Sequence, residues 1–129
     1  MRTILHQSDS PYQKVELIVD GDGDTRCFLN GLEYFNAGAL RTFNLLVSGI
    51  PAQALRPRRV LIVGSGSMAS VDYVRPYAES VTTVEIDRRV YDAGRRHLEA
   101  IHHLSTFPGH RVIIDDASIF SDARRNSST

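Results

Sequence analysis

The chain has 129 residues, and its 42% hydrophobic and 23% charged content is that of a soluble globular protein with one domain and one modest core. Its 15 Lys and Arg residues balance its 15 Asp and Glu residues, and this zero net charge argues against a nucleic-acid partner and against anchoring on an anionic membrane. The single cysteine rules out an intrachain disulfide. No apolar stretch reaches the ~18–20 residues of a membrane span, and residues 1–7 lack the apolar core of a signal peptide. We therefore expect a cytoplasmic protein.

The first part of the chain carries the pattern of a small antiparallel β meander. The predicted strands, which alternate or are rich in β-forming residues, cover residues 14–19, 25–29 and 32–35. The segments between them, 20–24 and 30–31, contain the Asp, Asn and Gly residues that tight turns require. Cys27 lies within the second strand and is interpreted as a packed side chain rather than a nucleophile. We therefore expect a meander domain over residues 1–36.

A connecting helix is predicted after the meander. Apolar residues recur at helical spacing between residues 39 and 47. The segment Gly49-Ile50-Pro51 is expected to end this helix, because Gly and Pro both disfavour a helix interior. Residues 37–57 are therefore interpreted as a connecting helix and loop.

From residue 58 onward the pattern changes to alternating strands and helices. The predicted strands cover residues 60–63, 81–85 and 111–114, and the predicted helices cover residues 67–73 and 88–103. The first of these strands is continuously apolar and is expected to be buried, and Asp87 is expected to cap the second helix. Three such units make one wing of a doubly wound sheet in spatial order 3-2-1, which leaves one edge of its first strand unpaired. We expect a partial Rossmann-like, nucleotide-binding βαβαβ domain over residues 58–124 and a disordered tail over residues 125–129.

The most informative motif is Gly64-Ser65-Gly66-Ser67-Met68-Ala69, which matches G-x-G-x-x-G/A between a predicted strand and a predicted helix. Its glycines allow a tight turn and bring backbone N–H groups close to a bound nucleotide. Glu85 stands 21 residues after Gly64, at the tip of the next strand, where an acidic side chain accepts hydrogen bonds from two ribose hydroxyls. The candidate ligand-binding residues in this region are Gly64, Ser65, Gly66, Ser67 and Glu85.

Asp115 and Asp116 follow the last predicted strand. In several nucleotide-binding folds a carboxylate at this place accepts a hydrogen bond from the exocyclic amine of adenine. A carboxylate at the start of a helix also serves as an N-cap. The spacing alone leaves both roles open for Asp116.

Two groups of potential metal ligands lack the spacing that a metal site needs. The aspartates of the 20–24 segment resemble a calcium loop, but Thr25 and Gly31 occupy the positions where an EF-hand needs Gly and Glu. The three histidines of the 88–103 segment include no pair three or four residues apart, so they do not share a helix face as metal ligands would. We therefore expect no metal site.

Taken together, these segments resemble a known family. The matching segments, in chain order, are Ser10-Pro11-Tyr12-Gln13, Phe28-Leu29-Asn30-Gly31, Arg-Arg-Val-Leu-Ile-Val-Gly-Ser-Gly at 58–66, Val-Glu-Ile-Asp at 84–87 and Asp-Asp-Ala at 115–117. In this order, and with almost uninterrupted spacing over about residues 8–120, they are similar to the polyamine aminopropyltransferases, the spermidine synthase family.

The resemblance implies a β-strand domain followed by a methyltransferase-type Rossmann-like domain. It also implies a transferase that moves an aminopropyl group from decarboxylated S-adenosylmethionine to putrescine or a related polyamine, so the adenosyl donor is a co-substrate and no separate cofactor is expected. Residue by residue, Gln13 looks like the family's glutamine that contacts the donor. Glu85 is similar to the acid that holds the donor ribose, and Asp116 resembles the carboxylate beside the adenine.

The chain departs from the family pattern in three places. Ser67 occupies the position of the aspartate that grips the donor's aminopropyl ammonium, and a neutral hydroxyl cannot supply that ion pair. Phe43-Asn44-Leu45 replaces the family's Tyr-Gln/His-Glu triplet. The family's catalytic aspartate follows a fourth strand, for which the 129 residues hold no counterpart. We therefore expect a truncated or diverged member whose catalytic residue is unknown, and no spermidine formation by this chain alone.

Two alternatives stay open. The glycine motif and Glu85 suit NAD or FAD equally well, which would make the chain part of an oxidoreductase, although the segment Ser10-Pro11-Tyr12-Gln13 argues against that class. The other alternative is a non-catalytic interaction module that forms a homo-oligomer, because an exposed sheet edge can pair with the same edge of a second copy.

Overall fold

The structure, a computed structural model, describes residues 1–64 and 66–120; Ser65 and the predicted tail at 125–129 lie outside the described residues. The N-terminal sheet is antiparallel, with the strand order β1-β2-β3-β4. Its strands are β1 (Thr3–Asp9), β2 (Lys14–Val19), β3 (Thr25–Leu29) and β4 (Leu32–Asn36). The three predicted strands are confirmed, and β1 is an addition whose largely polar sequence carries little alternation.

The aspartate-rich turn between β2 and β3 converges on an arginine. Arg26 lies 2.7 Å from Asp20 and within 4 Å of Asp22 and Asp24, and it also pairs with Glu33 of β4 at 2.6 Å. The carboxylate of Asp24 in addition accepts the backbone N–H of Gly38 at 3.0 Å. The cluster therefore fixes the end of the meander against the start of the following helix.

One continuous helical segment follows the meander. It consists of α1 (Ala37–Asn44), a π-helical turn (Leu45–Gly49) and α2 (Ile50–Leu55). The prediction that Gly49-Ile50-Pro51 ends the helix is wrong, because Pro51 lies in the first turn of α2 and the backbone stays helical from Gly49 to Leu55. The segment ends instead at Arg56, which has a left-handed φ of 48° and directly precedes Pro57.

The second sheet is parallel, with the strand order β5-β6-β7. Its strands and helices are β5 (Arg59–Val63), α3 (Ala69–Val74), β6 (Ser80–Glu85), α4 (Arg88–His97), α5 (Glu99–His102) and β7 (His110–Ile114). The predicted fold class and strand order are confirmed. The helix predicted over 88–103 is interrupted at Leu98, whose ψ of 24° lies outside the helical range.

The strand β5 is only half buried, which corrects the prediction of a buried strand. Val60 and Ile62 pack against the core, whereas Leu61 and Val63 are 47% and 61% exposed. Within residues 1–64 and 66–120, β5 pairs only with β6, so one of its edges and one of its faces are uncovered. Self-association through this edge stays a prediction.

Helix α4 joins the two sheets. It packs against β1 and β2, and Leu98 at its C-terminal end is buried beside Leu17 and Cys27 of the meander. Burial raises the pKa of Cys27 to about 12, so its thiol is protonated at neutral pH. Cys27 is thus confirmed as a packed side chain, and the two sheets share part of one core.

His110 gives the fold a dependence on pH. Burial lowers the pKa of His110 to about 4, and its Nε2 lies 2.8 Å from Oγ1 of the fully buried Thr83. Because a histidine in the unfolded chain titrates near pH 6.5, the unfolded state binds more protons than the folded state between pH 6.5 and pH 4. We predict that this residue lowers the free energy of unfolding by roughly 2 kcal/mol between pH 7 and pH 5.

Urea unfolding at these two pH values, on the wild type and on His110→Gln, measures this contribution. Glutamine keeps a hydrogen-bonding partner for Thr83 but does not titrate. The variant should lose clearly less stability than the wild type on going to pH 5, and equal losses in both proteins would exclude His110 as the source.

Candidate functional site

The glycine motif forms a tight loop between β5 and α3. Gly64 and Gly66 have φ values of 69° and 47°, in the left-handed region that favours glycine. The N–H of Gly64 donates to the carbonyl of Val84 at 2.8 Å, which holds the loop against the end of β6. Ser65 lies outside the described residues, so its predicted binding role stays a prediction.

Glu85 lies at the tip of β6 and faces this loop. Its side chain is only 6% exposed, and one carboxylate oxygen accepts the N–H of Gly66 at 3.4 Å while the other accepts the N–H of Asp87 at 3.0 Å. Each oxygen uses one lone pair in this way and keeps another. The carboxylate is therefore held by the backbone and still has capacity to accept two ligand hydroxyls.

Asp87 is a buried carboxylate that ties the meander to this site. It is 1% exposed, and its Oδ2 accepts hydrogen bonds from Ser10 Oγ at 2.6 Å and from Gln13 Nε2 at 3.0 Å. Its Oδ1 accepts the N–H groups of Arg89 and Val90, as the predicted cap of α4 requires. Sequence reasoning identified the cap, but it missed the link to two residues more than 70 positions earlier in the chain.

Gln13 is therefore held in one orientation. Since its Nε2 donates to Asp87, the oxygen Oε1 is the atom that faces away from this carboxylate. A continuous chain of hydrogen bonds runs from Gln13 to Asp87, from the N–H of Asp87 to Glu85, and from Glu85 to Gly66. The structure thus brings three of the residues predicted to contact a ligand into one network.

Ser67 and Asp116 each act as acceptors for the backbone of a following turn. Ser67 is 4% exposed, and its Oγ accepts the N–H of Ala69 at 3.2 Å. Asp116 is exposed, and its Oδ1 accepts the N–H of Ser118 at 2.9 Å, which lowers the pKa of this carboxyl. This is the geometry of an N-cap, one of the two roles that the sequence left open, and the adenine role of Asp116 stays a prediction.

Gly94 of α4 is a residue of the site that sequence reasoning missed. A Cβ at this position would lie 2.7 Å from the carbonyl oxygen of Gly66, so only glycine lets α4 approach the loop. The carbonyl of Gly94 accepts a hydrogen bond from Nε2 of the fully buried His102 at 3.0 Å. The available signal was a glycine inside a predicted helix. Glycine weakens a helix, so its presence there indicates a close contact that requires it.

A cleft of about 580 Å³ opens between the meander, the segment from α1 to the π-helical turn, and the glycine loop. Its lining includes Tyr34 and Phe35 of β4, Phe43 of α1, and Gly64 and Ser67 of the loop. The cleft is largely apolar around these residues. It therefore suits an organic ligand that extends from the glycine loop towards the meander.

The described residues show neither a metal centre nor a membrane helix. Among residues 1–64 and 66–120, no three His, Cys, Asp or Glu side chains are grouped closely enough to hold a metal ion. In the same residues, no helix combines the length and the apolar character that crossing a bilayer requires.

Comparisons with known proteins give consistent results. No family model matches the chain. A polyamine aminopropyltransferase of Desulforudis audaxviator strain MP104C is 28% identical over 115 residues, which cover 87% of this chain and 42% of that protein. Polyamine aminopropyltransferase 1 of Aquifex aeolicus strain VF5 is 26% identical over 101 residues, which cover 76% of this chain and 36% of that protein.

Two solved structures share the fold. The crystal structure of spermidine synthase from Thermotoga maritima superposes with a TM-score of 0.82 at 18% identity, over 92% of this chain and 42% of that chain. A spermidine synthase in complex with the transition-state analogue AdoDATO gives the same values. The chain thus spans about two fifths of the length of these proteins, and the resemblance found in its sequence is confirmed over most of its residues.

Proposed function

We propose, from this confirmed similarity to the polyamine aminopropyltransferases, that the chain binds an adenosyl-sulfur donor for aminopropyl transfer to a polyamine such as putrescine. The donor is decarboxylated S-adenosylmethionine or a closely related compound. The observation that carries the proposal is the buried carboxylate of Glu85, held by the N–H groups of Gly66 and Asp87 at the tip of β6.

Glu85 acts on the ribose of the donor. A ribose presents two neighbouring hydroxyls, and a carboxylate accepts one hydrogen bond from each of them. Since both oxygens of Glu85 are already fixed by backbone groups, little side-chain freedom is lost when the ligand binds. The glycine loop brings its backbone close to the same ligand, because Gly64 and Gly66 lack the side chains that would keep it away.

The link from the meander favours this class of ligand over NAD or FAD. The glycine loop and Glu85 are compatible with either class, whereas the hydrogen bonds from Ser10 and Gln13 to Asp87 make the meander part of the site. In the relatives, the matched region contains both parts, and one structural neighbour holds the analogue AdoDATO. We assign Oε1 of Gln13 as an acceptor for the bound donor.

The transfer itself forms a C–N bond and breaks a C–S bond of the sulfonium, so that methylthioadenosine leaves and the attacking amine loses a proton. In this scheme, the described residues bind and position the donor. Glu85 holds the ribose, the glycine loop admits the ligand, and Gln13 and Asp87 position the region around Glu85. We assign the proton acceptor to none of them.

A panel of ligands tests the proposal. Thermal shifts of the purified chain are measured with methylthioadenosine, decarboxylated S-adenosylmethionine, NAD and FAD at equal concentrations. A ligand that binds only the folded state raises the melting temperature. The two adenosyl-sulfur compounds should stabilise the chain, and stabilisation by NAD or FAD alone would favour the oxidoreductase alternative instead.

Ser67 leads to a prediction about donor choice. A carboxylate at this position would attract the donor's ammonium and repel the carboxylate of ordinary S-adenosylmethionine, whereas the Ser67 hydroxyl is neutral and bonded to the N–H of Ala69. We expect ordinary and decarboxylated S-adenosylmethionine to bind with affinities within about threefold of each other. Competition binding measures this ratio, and a decarboxylated donor that binds far more tightly would require another acid at the site.

A further inference from the structure

Tyr34 of β4 lies directly on the glycine loop. The point where a Cβ of Gly66 would stand is 2.6 Å from Cε1 and 3.1 Å from Oη of Tyr34. Burial raises the pKa of the Tyr34 hydroxyl, and the charge of the Glu85 carboxylate raises it further. Half of the Tyr34 surface is exposed, and the ring lines the cleft.

This position is next to the place where the donor's sulfur would lie. In the proposed function, Glu85 holds the ribose and Ser67 stands beside the aminopropyl group. The sulfur joins these two parts of the donor, so it passes between Glu85 and Ser67. Gly66 connects them in the structure, because its N–H donates to Glu85 and Ser67 follows it in the chain. The Tyr34 ring, whose hydroxyl-bearing edge contacts Gly66, therefore lies beside the sulfur.

The Glu85 carboxylate, assigned above to the ribose, also attracts a cationic sulfur, but the described lining of the cleft adds no further free carboxylate. Its one acidic residue, Glu33, is paired with Arg26 at 2.6 Å. The remaining lining residues described are apolar or neutral, and they include the aromatic side chains Tyr34, Phe35 and Phe43. A sulfonium has no N–H or O–H to donate, so it forms no N–H or O–H hydrogen bond to neutral acceptors, as an ammonium does.

We propose that Tyr34 determines the specificity for the cationic form of the donor, by presenting the face of its ring to the sulfonium. The inference rests on the proposed function and deepens it. A cation over an aromatic ring is attracted by the negative π face, and an attraction of this kind corresponds to about a 2- to 30-fold preference in affinity. The hydroxyl of Tyr34 is not required, because phenylalanine offers a similar face.

The test compares two ligands that differ at the sulfur alone. Decarboxylated S-adenosylmethionine carries a sulfonium, and decarboxylated S-adenosylhomocysteine carries the neutral thioether. Calorimetry on the wild type should give a preference of about 2- to 30-fold for the sulfonium. Tyr34→Phe should keep this preference, and Tyr34→Leu should clearly reduce it while still binding the thioether. If Tyr34→Leu does not fold, the measurement uses Tyr34→Met, whose side chain is similar in size to leucine.

The exposed Tyr12, which does not line the cleft, provides the matched control. Tyr12→Leu should leave the ratio of the two affinities at the wild-type value. An unchanged ratio in Tyr34→Leu or Tyr34→Met would overturn the inference while leaving the proposed function intact. If neither ligand binds to the wild type, the proposed function fails, and this inference fails with it.

Discussion

Replacing Glu85 with alanine should weaken the binding of methylthioadenosine by about 10- to 150-fold. This range corresponds to the ~1.5–3 kcal/mol of hydrogen bonds that involve a charged group. In the structure, the carboxylate is 6% exposed and held between the N–H groups of Gly66 and Asp87, so it is already oriented before a ligand binds. Isothermal titration calorimetry on the wild type and on Glu85→Ala measures the difference.

A ligand control separates the ribose contact from damage to the loop. The 2′,3′-dideoxy form of methylthioadenosine lacks the two hydroxyls that Glu85 is proposed to hold. It should bind weakly to the wild type, and the Glu85→Ala substitution should change its affinity much less than it changes that of the parent compound. An unchanged affinity of the parent compound in Glu85→Ala would remove Glu85 from the site.

Replacing Asp87 with alanine should destabilise the fold by about 3 kcal/mol. The loss of an N-cap costs about 1 kcal/mol, and each hydrogen bond to a buried charge contributes about 1.5–3 kcal/mol, although these contributions do not add fully. The carboxylate accepts Ser10 Oγ, Gln13 Nε2 and two N–H groups of α4. Urea unfolding gives the free energy of unfolding of the wild type and of the variant.

Asp92 provides the matched control on the same helix. It is 45% exposed and lies 3.9 Å from Arg88, so Asp92→Ala should change stability by no more than about 0.5 kcal/mol. Asp87→Asn keeps one acceptor oxygen for the cap but turns a donor towards Ser10 and Gln13. Its loss of stability should lie between the losses caused by Asp87→Ala and Asp92→Ala. If Asp87→Ala is no more destabilising than Asp92→Ala, the hydrogen bonds of Asp87 do not stabilise the fold.

Local sequence patterns predicted the strands and their order well. Alternation in Lys14–Val19 and Thr25–Leu29 and the turns beside them determine local geometry, so the meander could be read without knowing its partners. The same holds for Asp87, whose capping role depends on the helix that follows it. The helix end predicted at Gly49-Ile50-Pro51 was wrong, because a proline in the first turn of a helix is indistinguishable, in sequence, from a proline that ends one.

Such local patterns could not predict the contacts that assemble the candidate site. Asp87 meets Ser10 and Gln13 only because α4 packs against β1 and β2, and the position of Tyr34 on Gly66 likewise depends on how the meander docks on the second sheet. These pairings join residues far apart in the chain. Periodicity gives the face of each element, but it does not give the register between elements from different sheets.

The central claim is that the site between Glu85 and the glycine loop binds an adenosyl-sulfur compound. A crystal structure of the chain with methylthioadenosine tests this claim most directly. Both ribose hydroxyls should lie within about 2.5–3.0 Å of the Glu85 carboxylate oxygens, with the sulfur beside the ring of Tyr34 and Oε1 of Gln13 facing the ligand. An adenosyl group bound elsewhere, or bound here with its ribose turned away from Glu85, would contradict it.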